Sequence, residues 1–147
     1  MTRRSFRSEL TTLIFVLSSH PGLTTDFRIT NVLDDLRTAS TCSNVKKNRK
    51  HLIWGLLIGR SLDTFTVFFL DAKHKRPERS FDHRILRICD SANPLTSDPT
   101  IKADLLRVKN NRNDLFHNAG RHFNDVEMED FVFTSTKSMQ QLIGDLP

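Results

Sequence analysis

Tyrosine is missing from this 147-residue chain, although phenylalanine occurs eleven times. That absence removes tyrosine chemistry and tyrosine modification. Glycine and proline number five each, and no low-complexity tract interrupts the sequence. Cys42 and Cys89 are the only cysteines. Two unpatterned cysteines in a chain of this size read as reduced, structural thiols of a cytosolic protein, and they have no zinc-ligand spacing. No glycine-rich loop is present to cradle a phosphate. No uninterrupted run approaches the roughly 18 apolar residues expected of a bilayer span. Neither an internal repeat nor a second-domain boundary is visible, so residues 1–147 read as a single domain.

What is present is ordinary for a globular fold: 37% hydrophobic and 27% charged residues, enough to build a proper core. The formal charge is +5. Two clusters dominate it, Lys46-Lys47-Asn48-Arg49-Lys50-His51 and Lys73-His74-Lys75-Arg76-Pro77-Glu78-Arg79. Such blocks suit a polyanion such as RNA or DNA. They equally suit solvated helix ends and loops.

Apolar spacing predicts helices throughout. Thr2-Arg3-Arg4-Ser5-Phe6-Arg7 superficially resembles a twin-arginine export signal, but Glu9, Thr11 and Thr12 interrupt the following run and no small-x-small site follows. Phe6, Leu10, Leu13, Ile14 and Leu17 instead share one face of a helix over about 5–19, stopped by Pro21-Gly22. A second helix starts near Thr25-Asp26 and aligns Ile29, Val32, Leu33 and Leu36, with 38–44 as a polar loop. A long third helix runs over about 45–72. Residues 52–58 are apolar nearly all round, which argues a central position, and Gly55 and Gly59 allow another helix to approach closely. Residues 64–70 have strand-like composition, but continuity favours helix. A fourth helix aligns Phe81, Ile85, Ile88 and Cys89, the last as a core residue. A fifth covers about 101–118 and ends at Asn118-Ala119-Gly120. A sixth is capped by Asn124-Asp125. It places Met128, Phe131, Val132, Met139, Leu142 and Ile143 on one face, with Val126 and Phe133 opposite as a potential partner surface. The expected fold is an all-α bundle of five to six helices.

The fifth helix carries the most informative pattern. Setting Arg112 at 0°, Asn113 falls at ~100° and His117 at ~140°, so the three share one side. Ile101, Leu105, Val108, Leu115 and Phe116 lie within about 60° of Arg112, which places a permanent cation near the middle of an apolar stripe. Burying it unpaired would be very costly. Either a carboxylate meets it as a structural salt bridge, with Asp63, Asp104 or an acid of the sixth helix as candidates, or that part of the stripe faces a cleft, as an active site at a subunit junction would. A histidine exchanges protons near neutral pH, an arginine offers a fixed fork to phosphate oxygens, and an amide orients either. Those parts suffice for metal-free cleavage of RNA by the ribose 2′-OH. No nucleophilic serine or cysteine stands out beside them.

Arg112-Asn113, then three residues, then His117 near the end of a helix in a small all-α chain, resembles the R-x4-6-H motif of HEPN domains. The acidic start of the following helix also fits that family. The resemblance is strong over about 105–144 and generic before it. It implies a cytoplasmic, metal-independent endoribonuclease without a cofactor, acting as a homodimer that brings two motifs into one cleft. In that reading His117 is the general acid/base, Arg112 the phosphate ligand and Asn113 the orienter. Arg107, Lys109, Arg121 and His122 become candidates for RNA backbone contact, each with ordinary surface charge as its alternative. The family further implies a toxin or phage-defence effector restrained by an antitoxin or a larger defence complex. The same fold also serves as a catalytically silent adaptor for a protein or nucleic acid. A small DNA-binding regulator is a third reading, without helix-turn-helix spacing to support it.

Overall fold

The computed structural model describes residues 3–41, 47–98, 100–117 and 123–147, with side chains described from residue 8 and, in the third helix, from His51. Among these residues the fold is all-α: α1 (Arg3–Ser19), α2 (Phe27–Thr41), α3 (Lys47–Ala72), α4 (Phe81–Ile88), α5 (Ile101–His117) and α6 (Asp125–Gly144). The expected helices are all present, and residues 64–70 continue α3 without a break.

The centre of the bundle is α3, which packs against α2, α4, α5 and α6. Its apolar residues project in several directions, and Trp54, Ile58, Leu62, Phe65 and Phe69 are all buried. His51–Ala72 is also long and apolar enough, by length and composition, to cross a membrane, with a mean hydropathy of 1.4. That departs from the expectation based on uninterrupted apolar runs, because a span is set by average hydropathy and tolerates scattered polar residues. In the folded chain 56% of that stretch is buried inside the bundle.

Leu10, Leu13 and Leu17 of α1 are buried as the spacing predicts, and Ile14 packs at the core's edge. Ile29, Val32, Leu33 and Leu36 of α2 are likewise buried. The second helix runs to Thr41, so the loop expected from residue 38 begins later. Tertiary packing explains the extension, while the hydroxyls of this stretch bond locally to helix carbonyls. Thr38 Oγ1 donates to the Asp34 carbonyl (2.8 Å), and Ser40 Oγ to that of Arg37 (2.8 Å). Ala39 is buried, and its carbonyl accepts from Trp54 Nε1 (2.5 Å). Residues that favour loops by composition are thereby held in a helix by tertiary packing.

Ser80 caps α4 by accepting from the His83 amide at 3.1 Å. Cys89 ends that helix and is only half-buried at the rim of the core, rather than fully inside it. Burial raises its thiol pKa to about 11. Asn124 and Glu127 form a reciprocal capping box at the start of α6, with Asn124 Oδ1 accepting from the Glu127 amide at 2.8 Å and Glu127 Oε1 accepting from the Asn124 amide at 3.3 Å. The predicted α6 face is buried, whereas Val126 and Phe133 are exposed.

Candidate functional site

The helix bearing the motif, α5, lies against α3, α4 and α6. Two glycines set how closely it approaches α3. A Cβ added at Gly55 would stand 2.2 Å from Leu115 Cδ1, and one at Gly59 would stand 2.8 Å from Arg112 Cγ. The stem of Arg112 therefore occupies space that only a glycine leaves open.

Of the two sequence alternatives for Arg112, a carboxylate meets it. Arg112 Nη1 donates to Asp63 Oδ2 at 2.6 Å. Its Nη2 donates to Asn113 Oδ1 at 3.3 Å, and the guanidinium carbon lies 5.0 Å from the centre of the Phe81 ring. The side chain keeps only 16% of its surface exposed. Nε is buried and has no hydrogen-bond acceptor among the described residues. Burial pulls the Arg112 pKa below the ordinary guanidinium value, partly offset by the charge of Asp82. An arginine nonetheless stays protonated.

Asp63 serves a second arginine. Its Oδ1 accepts from Arg84 Nη2, a close ion pair. Arg84 is buried and donates further to Thr66 Oγ1 (2.9 Å) and the Glu78 carbonyl (2.9 Å). Burial lowers its pKa, and the neighbouring Arg112 charge lowers it further. Next to this triad, Lys109 Nζ pairs with Asp82 Oδ1 at 2.7 Å. Among the described residues these three cationic side chains face two carboxylates, a local surplus of positive charge at the junction of α3, α4 and α5.

His117 lies exposed in the last turn of α5, with its ring 6.4 Å from that of Phe116. Five helical residues separate it from Arg112, about 7.5 Å along the axis. Among the described residues no hydrogen bond joins the two side chains within one chain. Phe116, expected to share the buried stripe, is 62% exposed. The stripe outruns the core at its C-terminal end, leaving an aromatic surface beside the histidine.

The proposed RNA contacts divide. Arg107 pairs with Asp130 (3.2 Å) and Asp104 (3.5 Å), and donates to Thr134 Oγ1 (2.8 Å). Lys109 is held by Asp82, with 15% of its side chain exposed. Both are engaged in ion pairs within the chain, Arg107 at the surface and Lys109 largely covered. Arg121 and His122, and the glycine stop of α5, lie outside the described residues, as do Cys42 and the side chains of Lys46 to Lys50. Among the described residues, no group of His, Cys, Asp or Glu has the arrangement of a metal site.

Two contributors escaped the sequence reading, Arg84 and Phe81 as a surface for the guanidinium, whereas the close helix approach expected at Gly55 and Gly59 is made by α5. A signal for Arg84 existed. Phe81, Arg84, Ile85 and Ile88 follow the i, i+3, i+4, i+7 pattern, so Arg84 interrupts an apolar stripe as Arg112 does. The chain matches no family model, no curated protein and no solved structure.

Proposed function

We propose that the chain is a HEPN-type, metal-independent endoribonuclease, acting in the cytoplasm as a homodimer. The observation that supports this most is the surplus positive charge at Arg112, one and a half turns below an exposed histidine on the same helix. A fixed, partly desolvated cation suits a phosphate far better than it suits a core. His117 takes the proton of a ribose 2′-OH. The 2′ oxygen bonds to phosphorus, the P–O5′ bond breaks, and the 5′ oxygen receives a proton from the protonated His117 of a second copy. Arg112 neutralises the non-bridging oxygens of the crowded intermediate, and Asn113 steadies the guanidinium. The product is a 2′,3′-cyclic phosphate, which water then opens. Exposed Phe116 supplies the apolar contact that brings two motifs together. RNA is the substrate, and an antitoxin or larger defence complex restrains the enzyme as a toxin or phage-defence effector.

A catalytically silent HEPN-like adaptor is the second reading. It is favoured by one observation, the engagement of both Arg112 Nη atoms by Asp63 and Asn113. Induced expression separates the two. The nuclease arrests growth, and Arg112→Ala or His117→Ala relieves the arrest. Unimpaired growth with the wild-type chain, and intact cellular RNA, would select the adaptor.

A further inference from the structure

We infer that Asp63 is a positioning residue for Arg112, and that Gly59 and Asp63 together form its seat and clamp on α3. The inference rests on the ribonuclease reading for its catalytic consequence, but its geometry stands apart from it. Gly59 and Asp63 are four residues apart, so they share one face of α3. The first admits the Arg112 stem, and a Cβ there would stand 2.8 Å from Cγ. The second grips Nη1 at 2.6 Å.

Charge balance separates a positioning role from a merely structural one. Asp63 is already neutralised by Arg84, a buried guanidinium that is also bonded to Thr66 and to the Glu78 carbonyl. The fold gains nothing obvious from a second arginine on that carboxylate, and the two cations repel each other. What the second contact does is fix direction. The Arg112 guanidinium carbon lies 5.0 Å from the centre of the Phe81 ring. Asp63 adds a directional bond at Nη1, and Asn113 one at Nη2. Arg84 holds Asp63 in turn, so the clamp is itself anchored. A carboxylate shared between two guanidiniums cannot cancel both charges. Arg112 is therefore oriented while its counter-charges are shared, Asp63 with Arg84 and Asp82 with Lys109, a state that suits a phosphate ligand.

The test compares wild type, Asp63→Asn, Asp63→Glu and Gly59→Ala in two measurements on the full chain. The first is steady-state cleavage of a single-stranded RNA. Loss of orientation lowers kcat by roughly 10- to 100-fold with KM little changed, in both Asp63→Asn and Gly59→Ala, and Asp63→Glu restores part of it. The second is NMR of the arginine Nε–H and Nη groups, assigned through Arg112→Lys. The Arg112 guanidinium rotates slowly in wild type and freely in Asp63→Asn. Wild-type kcat in Asp63→Asn, with Arg112 unchanged by NMR, would overturn the inference. If the wild-type chain cleaves no RNA, the ribonuclease reading fails alone. The NMR comparison then decides the clamp, and an immobile Arg112 in Asp63→Asn sinks it. If Asp63→Asn does not fold, Gly59→Ala decides. It leaves the Asp63–Arg84 pair intact, and an undisturbed Arg112 in that variant overturns the inference.

Discussion

Arg112 of α5 and Arg84 of α4 hold opposite oxygens of one carboxylate, that of Asp63 on α3. Side chains of three helices thereby meet at one carboxylate, beside the apolar contacts that already join α3, α4 and α5. The arrangement makes Asp63 the member whose loss is most damaging, since its removal leaves two partly buried guanidiniums facing each other.

Stability should therefore fall in a fixed order. Asp63→Ala costs about 3 kcal/mol, as for breaking a buried pair from its shared side. Arg84→Ala costs about 2 kcal/mol, through lost packing and the stranded Thr66 and Glu78 oxygens. Arg112→Ala costs about 1 kcal/mol or less, because the Asp63–Arg84 pair survives it. Urea unfolding of the three variants checks the order. A larger loss for Arg112→Ala than for Arg84→Ala would mean that Arg112 is the structural partner.

The close approach of α5 to α3 gives a second expectation. Gly55→Val drives a branched side chain into Leu115, already 2.2 Å from where a Cβ would lie. Overpacking of that kind costs typically about 1–3 kcal/mol. The midpoint of denaturant unfolding reads it directly, and an unchanged midpoint would show that α5 can slide.

Much of this architecture was legible in the sequence because it depends on local periodicity. The buried faces of α1, α2 and α6 follow their apolar spacing, and the Asn124 cap announces itself. The end of α2 was not legible, because the contact that holds it comes from Trp54 on α3 and not from α2's own pattern. At the site, Arg112 stood out as a charge in an apolar stripe, and Asp63 was among its candidate partners. Arg84 left a weaker signal than Arg112, one interruption of a stripe only eight residues long. The pairing of Arg107 and Lys109 depends on Asp130 and Asp82 from other helices, which no local pattern reveals.

Acid stability carries a signature at the start of α2. Side-chain hydrogen bonds from Arg28 hold the Asp26 carboxyl below its ordinary value against the opposing effect of burial. Its folded pKa is thus lower than its unfolded one. The unfolded chain binds more protons as pH falls through about 4, so the stabilisation is present above that point and is lost on further acidification toward the folded value. Asp26→Asn should lower stability at neutral pH and flatten the acid limb of the profile. Thermal melts between pH 2 and 7 check this, and parallel profiles for variant and wild type would contradict it.

Assembly is tested at Phe116, the exposed aromatic beside His117. The proposed dimer should run at twice the chain mass in light scattering at micromolar concentration. Phe116→Asp should shift it to monomer without loss of helical signal, because the side chain lies outside the core. A wild-type monomer, or a dimer indifferent to Phe116→Asp, would remove this residue from the interface.

The most direct test of the ribonuclease proposal is cleavage of RNA by purified wild-type chain and by His117→Ala, in excess chelator. The account predicts wild-type cleavage that leaves 2′,3′-cyclic phosphate ends, and a loss of at least ~100-fold in the folded variant. Absence of cleavage by the wild-type chain, or a wild-type rate in His117→Ala, would contradict it.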